Sequence, residues 1–379
     1  MKVAQVCPFF HPVIGGWETA VLNISKGLIE RGHEVTVFTC DEMHDKTKIR
    51  EREGFAEGVR VKRFPVWFRV SDFYRIWPGF IGELQKGKFD IVHAHNYRHF
   101  HCDASAFLKG RGKYKLVLRT GMPFHPKSAQ LGMMRGIYDA TMPKLLRGRI
   151  DGLFVYNNSE KEKFERLGFS GEQISTIPYG VEDLFFEEGN GAKFRRRHSL
   201  RSKVVLCAAR LHRYKGIETL IKAAAFLGRD DVSMVIAGDG DEKYAQSLLR
   251  LCRNMGVEDR VTFVRESISR EQLRNAYAAC DLFVLPSIYE SYGIALLEAM
   301  AQGCAVLASR TEGPAGIISE GENGMLFEPG GSAELAQKIG SLIDDGTARA
   351  RLGRNAKAYA QNLRWEKIVC MIDAEYGKL

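Results

Sequence analysis

Glu290 and Glu298 bracket a glycine in the stretch Pro286-Ser-Ile-Tyr-Glu-Ser-Tyr-Gly-Ile-Ala-Leu-Leu-Glu-Ala-Met300. An apolar run at 281–285 precedes it and reads as a buried strand ending at Pro286. Beyond Gly293, the apolar positions Ile294, Leu296, Leu297 and Met300 follow a helical pattern that Gly303 would end. Glu290 therefore falls just before a helix and Glu298 inside it. Between them the amides of Ser291, Tyr292, Gly293 and Ile294 occupy the helix start, where N–H groups lack intrahelical acceptors and suit a phosphate. The chemistry on offer is acid, anion hole, acid in a strand-to-helix turn. A plain buried helix is the competing reading, and two glutamates alone do not exclude it.

Two cations change that balance. Arg210 and Lys215 lie in the loop after another apolar run, 204–208. At the carboxyl end of a parallel strand they could clamp a diphosphate, although each alone is an ordinary solvated charge. If one helix carried both glutamates, eight positions at about 1.5 Å rise would set them on the order of 12 Å apart. That exceeds the separation of up to about 9.5 Å that glycoside hydrolases use. It suits an extended ligand, with sugar hydroxyls at Glu290, a diphosphate over the amides and ribose hydroxyls at Glu298. A nucleotide-sugar fits this order of groups.

Other motifs are less specific. Gly15-Gly16 precedes a helical pattern over 17–30 and would let a ligand approach the backbone; a tight turn is the alternative, and the third glycine of a dinucleotide fingerprint is missing. His93, His95, His99 and His101 cluster at the end of a strand pattern. Without a carboxylate or cysteine partner at metal-ligand spacing they read as lining a ligand crevice, and no metal is expected. Residues 59–80 interleave basic and aromatic side chains. That run fits either an anionic membrane surface or acceptor cleft, or a strand plus loop whose aromatics join the core.

The elements that must position these residues alternate twice. Strand patterns at 3–7, 34–40, 89–93, 115–119, 153–156 and 174–178 form a first series, and 182–201 reads as a charged linker. Strands at 204–208, 232–237 (followed by Gly238-Asp-Gly240), 261–264, 281–285 and 304–308 form a second series with helices between. This is α/β architecture with two Rossmann-like halves and a ligand held chiefly by the second. A length of 379 residues agrees with two domains. Hydrophobic content of 45% and charged content of 27% exclude a disordered chain. The net charge of +9 fits anionic ligands, nucleic acid or a membrane surface without choosing among them. Eight cysteines lack any Cys-x-x-Cys spacing and read as buried thiols, and no apolar stretch approaches eighteen residues, so a cytoplasmic protein is expected.

The stretch from Glu290 to Glu298 resembles the signature of the retaining glycosyltransferases of family four, which have the GT-B fold: two Rossmann-like domains across a cleft. Gly15-Gly16 resembles the first phosphate-contacting loop, and Arg210-Leu-x-x-x-Lys-Gly216 the phosphate-binding pair. Ala237-Gly-Asp-Gly240, Asn323-Gly324 and Trp365-Glu366 follow in family order. The resemblance implies an acceptor domain at 1–183 plus 365–379 and a donor domain at 184–364, with the last helix crossing back. It implies sugar transfer from a UDP- or GDP-sugar to an acceptor hydroxyl with retention, without metal or cofactor. The acceptor would be a glycan, lipid or small molecule, with a peripheral membrane position through 60–80. Glu298 would hold the ribose, Glu290 the donor sugar, and Arg210 and Lys215 the leaving diphosphate; Gly238 falls among the donor-binding positions. The chain departs from the pattern at Thr120-Gly121, where the family often has a histidine, and His125 is the candidate to replace it. It departs again at Pro178-Tyr-Gly-Val181, where Asn is usual in place of Tyr179, and at Glu312-Gly-Pro-Ala-Gly316. Alternatives are an epimerase-like enzyme of the same fold or a nucleic-acid-binding protein, whose clustered basic face only 60–80 approaches.

Overall fold

The structure is a computed structural model and describes residues 1–13, 15–70, 74–110, 113–121, 129–200, 203–265 and 268–379. It forms two compact units, Met1–Gly180 with Trp365–Leu379, and Val181–Arg364.

The first unit opens with β1 (Lys2–Val6), α1 (Gly16–Glu30) and β2 (Glu34–Cys40). A hairpin-like addition follows: β3 (Glu53–Ala56), β4 (Val59–Phe64) and the short pair β5 (Phe68–Arg69) and β6 (Arg75–Ile76). The alternation resumes with α2 (Phe80–Lys86), β7 (Ile91–His95), α3 (Phe100–Leu108), β8 (Lys115–Arg119) and α4 (Ala129–Leu146). It ends with β9 (Gly152–Val155), α5 (Asn158–Arg166) and β10 (Ile174–Thr176). The sheet order is β10-β9-β8-β7-β1-β2-β4-β3, with only the β3–β4 pair antiparallel. Chain progression reverses between β1 and β7, so the loops after those two strands flank the switch point of the sheet.

The two faces of this sheet differ in chemistry. Ala4, Val6, Val92, Ala94, Leu116, Leu118, Leu153 and Val155 bury one face in an apolar core. The alternate positions add the polar Gln5, His93, His95 and Arg119 beside the apolar Val3, Val117 and Phe154. His93 Nδ1 lies 2.6 Å from the Tyr376 hydroxyl of the final helix (Trp365–Tyr376), and His95 Nε2 lies 2.6 Å from Gln5 Oε1. Arg119 donates to the carbonyl of Pro178 at 3.0 Å. The final helix also meets α1, where a Cβ on Gly27 would come within 2.8 Å of Val369 Cγ2.

These contacts correct the histidine reading. His93, His95 and His101 are 0%, 3% and 1% exposed, so they sit inside the fold and do not line a crevice. Burial lowers the pKa of all three, which keeps them neutral hydrogen-bonding groups. Among the described residues no group of three or more His, Cys, Asp and Glu side chains is placed to hold a metal ion.

The run at 59–80 divides. Val61, Arg63, Trp77 and Phe80 are buried, whereas Trp67 and Phe68 are 73% and 62% exposed. Its cations are engaged: Lys62 Nζ reaches Glu83 Oε2 at 2.6 Å, Arg63 Nη2 the carbonyl of His11 at 2.8 Å, and Arg69 Nε Glu42 Oε2 at 3.1 Å. The basic face expected there for an anionic surface is therefore largely neutralised by the protein itself. Among the described residues no helix is long and apolar enough to cross a membrane.

The second unit begins with α6 (Gly191–Arg197), inside the segment read as linker. The backbone of Asn190, just before that helix, is tied to the Asn275 side chain at 2.7 Å, so the charged run packs as part of the unit. β11 (Lys203–Ala208), α7 (Ile217–Leu227), β12 (Val232–Ala237), α8 (Glu242–Met255) and β13 (Val261–Val264) follow. Then come α9 (Arg270–Ala279), β14 (Leu282–Leu285), α10 (Ile294–Ala301), β15 (Ala305–Ser309), α11 (Glu312–Ala315) and β16 (Met325–Phe327). α12 (Ser332–Asp344) and α13 (Gly346–Gln361) complete the unit. All six strands are parallel in the order β13-β12-β11-β14-β15-β16. That is the doubly wound order, with its switch point between β11 and β14.

One buried acid in the first unit yields a test. Asp103 on α3 is 7% exposed and accepts from Tyr74 at 3.2 Å and from Tyr138. Burial pushes its carboxyl up to about 6 from 3.8, against the two tyrosine hydrogen bonds. The native state thus holds this proton above the pH at which the unfolded chain releases it, so stability falls as pH rises through that window. Urea unfolding from pH 4 to pH 7 should show wild type losing on the order of 2–3 kcal/mol relative to Asp103→Asn. Parallel pH profiles would show that burial does not perturb this carboxyl.

Candidate active site

β11 and β14 are neighbours through the register Val205↔Leu282 and Leu206↔Phe283, so the loops after them emerge side by side. The backbone joins them directly: Tyr214 O accepts from Ile288 N–H at 2.9 Å and from Tyr289 N–H at 3.2 Å. Gly216, with φ +60°, makes this approach possible, since a Cβ there would lie 2.2 Å from Pro286 O. Lys215 and Glu290 meet across the junction, Nζ to Oε2 at 2.5 Å, and Ser287 Oγ donates to the same oxygen at 3.3 Å. Among the described residues Glu290 Oε1 has no hydrogen-bond partner, which leaves it open to a ligand hydroxyl.

Arg210 stands two residues beyond β11, exposed and without an ion-pair partner among the described residues. Its loop is braced from the β12 side. A Cβ on Gly238 would lie 2.1 Å from Ala209 O and one on Gly240 2.4 Å from Leu211 O, and Leu211 and Gly240 form a parallel bridge. Gly238 thus meets the backbone beside Arg210.

The N-terminus of α10 closes the arrangement. Gly293 caps it with φ +99°, and its carbonyl accepts from Leu296 and Leu297 N–H at 3.0 and 3.2 Å. Among the described residues the N–H groups of Ser291, Gly293 and Ile294 donate to no backbone carbonyl. That is the donor set an anion requires. The loop after β15 supports this turn: Gly313 N–H donates to Glu290 O at 2.9 Å, and a Cβ on Gly313 would sit 2.4 Å from Tyr292 N. Tyr292 is 3% exposed, and Ser291 Oγ donates to the Tyr289 hydroxyl at 3.2 Å.

Glu298 has a different setting. It is 4% exposed, its Oε1 accepts from Arg270 Nη1 at 2.9 Å, and its Oε2 accepts from the Tyr277 hydroxyl at 2.9 Å. Burial raises its pKa; Arg270 and the Tyr277 hydrogen bond oppose the rise. Arg270 and Tyr277 went unnoticed in the sequence, although both lie on one helix, two turns apart, just before the strand that leads to Glu290. That spacing was the available signal.

In the first unit Gly15 caps α1 in an extended conformation, and a Cβ there would lie 2.4 Å from Glu18 Oε2. The carbonyl of Gly16 accepts from the Tyr179 hydroxyl at 2.6 Å. The helix's own acid therefore lies over the glycine pair. His125 lies outside the described residues.

Comparison with known proteins gives the family and the fold. Residues 14–183 match the family described as Glycosyltransferase Family 4, and residues 191–359 match Glycosyl transferases group 1. A D-inositol 3-phosphate glycosyltransferase of Acidothermus cellulolyticus is 35% identical, over 94% of this chain and 84% of that protein. An uncharacterized glycosyltransferase of Methanocaldococcus jannaschii is 28% identical over 97% of this chain and 96% of that one. The structure of HepE from Anabaena in complex with UDP aligns over the full length of both chains with a TM-score of 0.83 at 23% identity, a likeness of fold. The two Rossmann-like units have the GT-B architecture, and the chain belongs to the group 1, family four glycosyltransferases.

Proposed function

We propose that this enzyme transfers a sugar, with retention at the anomeric carbon, from a UDP- or GDP-sugar to an acceptor hydroxyl. The reading is carried by the contact of Lys215 with Glu290 at the β11/β14 switch point, beside the free amides of α10. In it the diphosphate lies over the amides of Gly293 and Ile294, with Arg210 and Lys215 neutralising its charge. Glu290 Oε1 accepts from a donor-sugar hydroxyl, and Glu298 from the ribose. The bond from the anomeric carbon to the β-phosphate oxygen breaks while the acceptor oxygen bonds to the same face. The acceptor proton passes to the departing phosphate, and the nucleoside diphosphate leaves. Arg210 and Lys215 favour this step because negative charge grows on the oxygen they face.

No metal or cofactor takes part in this reading, since two side-chain cations and the helix terminus supply the charge a metal would bring. UDP is the first donor base to try, because HepE is known with UDP and with UDP-glucose. The acceptor is a glycan, a lipid or a small molecule; the Acidothermus relative is named for a phosphorylated polyol. A lipid acceptor would agree with a peripheral membrane contact through Trp67, Phe68 and Val70, exposed side chains of a kind that enters the interfacial region. Nucleic acid is not part of the reading, because the cations at Lys62, Arg63 and Arg69 are already paired.

The assay is radiolabelled sugar transfer from a panel of UDP- and GDP-sugars, without metal and with EDTA. Lys215→Ala and Glu298→Ala should each lower kcat/KM by roughly a hundredfold or more while far-ultraviolet dichroism shows both variants folded. Wild-type turnover in both variants would sink the reading, and loss of wild-type activity in EDTA would refute its metal independence. The membrane contact has its own assay, co-sedimentation with vesicles containing anionic lipid. Trp67→Ala/Phe68→Ala should lose most of the bound fraction, with salt changing it little, because the cations nearby are internally paired. Equal binding by wild type and the double variant would remove these aromatics from the account.

A further inference from the structure

We infer that Arg270 is a positioning residue for Glu298: its guanidinium, anchored from the segment that enters the second unit, holds the buried carboxylate as an acceptor for two ribose hydroxyls. The inference rests on the reading that Glu298 takes the ribose. A carboxylate at 4% exposure has little water to stabilise its charge, yet only the ionised form can accept from a vicinal diol through both oxygens. Arg270 supplies the missing counter-charge at Oε1, 2.9 Å away, and Tyr277 fixes Oε2 at the same distance. Each oxygen keeps a second lone pair for the ligand.

Arg270 is itself held on two further sides. Its other nitrogen pairs with Glu182, which follows the crossing point at Gly180–Val181, and the guanidinium lies 4.6 Å from the centroid of the Phe185 ring. Phe185 in turn packs edge-on against Tyr277, centroids 5.8 Å apart. The guanidinium is thus shared between one buried and one half-exposed carboxylate. The groups facing Glu298 are Arg270 and Tyr277 from α9; Glu182 stands one step out, and Cys304 lies behind Tyr277, its thiol donating to that residue's carbonyl at 3.2 Å. Arg270 is the one cation paired with Glu298 among the described residues.

Burial already raises the pKa of Glu298, and Arg270 opposes the rise. Without Arg270 the pKa climbs further, so nucleotide binding fails at a higher pH as acid is added. A role confined to packing would weaken binding equally at every pH. Because 42% of the Arg270 side chain is exposed, its truncation leaves no sealed cavity and the variant should fold.

The experiment is calorimetric titration of UDP and of GDP from pH 5.5 to 8 into wild type, Arg270→Ala, Arg270→Lys, Tyr277→Phe and Glu298→Gln. For the nucleotide that binds, Arg270→Ala should move the acid limb to higher pH and bind about tenfold more weakly at pH 6, the scale of one lost charged hydrogen bond. Its deficit should be small at pH 8, Arg270→Lys should recover most of the acid limb, and Tyr277→Phe should shift it less. A deficit of constant size across pH overturns the inference. If Glu298→Gln binds like wild type, or neither nucleotide binds, the ribose reading fails instead. A ligand-free measurement then decides the remainder: the urea-stability gap between Arg270→Ala and Arg270→Ala/Glu298→Gln over the same range, compared with the gap between wild type and Glu298→Gln. The single variant should lose stability as pH rises, because its native state keeps the Glu298 proton longer than the unfolded chain does. Matching gaps would show that Arg270 does not govern this carboxyl.

Discussion

The carbonyl of Tyr214 accepts from two successive amides, Ile288 and Tyr289, and the rest of the site depends on that contact. Each such bond adds only about 0.5–1.5 kcal/mol net to stability. The geometric effect matters more. It sets the loop after β11 against the loop after β14 within backbone distance, which only a glycine at 216 permits. Lys215 and Glu290 then meet without long flexible reaches, just ahead of the α10 amides in the chain. In the proposed reading a diphosphate there would meet cations and N–H donors that need no further ordering, and electrostatic catalysis is most effective when its dipoles are fixed beforehand.

The two signature carboxylates share a helix-turn yet live in opposite environments, and environment assigns their work. Glu290 keeps one oxygen open and lends the other to Lys215, so it can bind a hydroxyl while it holds the lysine in place. Glu298 is buried, and each of its oxygens is fixed by one partner, Arg270 or Tyr277, with a second lone pair left over. The first suits a reacting sugar that must shift during the reaction. The second suits a part of the ligand that should stay still.

The strand, turn and helix from Leu282 to Ala301 are legible in the sequence because their signals are local. A strand, a glycine with positive φ and a helical apolar pattern fall within one stretch, and Gly293 is where the turn requires a residue without Cβ. The doubly wound plan was legible for the same reason, since parallel strands buried on both faces are continuous apolar runs. What escaped needed long-range facts. Arg270 and Tyr277 reach Glu298 only once α9 packs beside α10. The histidines misled because their identity suggested ligands, while their register places His93 and His95 on a sheet face that the final helix covers. The run at 59–80 stayed ambiguous because it is both things: Trp77 fills core, and Trp67 faces solvent.

Tyr179 shows how a departure from a family pattern can be read physically. The usual asparagine at that position is short; a tyrosine reaches farther, and here its hydroxyl bonds to the carbonyl of Gly16 at 2.6 Å. Its ring meets Trp365 edge-on, centroids 5.1 Å apart, and a Cβ on the next residue, Gly180, would lie 2.3 Å from that indole. The glycine pair at the head of α1 is therefore held from behind by the segment that leaves the first unit and by the residue at which the chain returns to it. Behind the same segment Arg119, a buried cation, donates to the carbonyls of Ile177 and Pro178 and to the Tyr156 hydroxyl, with Nη1 left unpartnered and no acid paired with it among the described residues. An acid there would close the charge pair locally and release the carbonyls. With dipoles as its partners, Arg119 serves the fold only while that segment keeps its path, which ties the placement of Gly16 to the integrity of the whole polar layer.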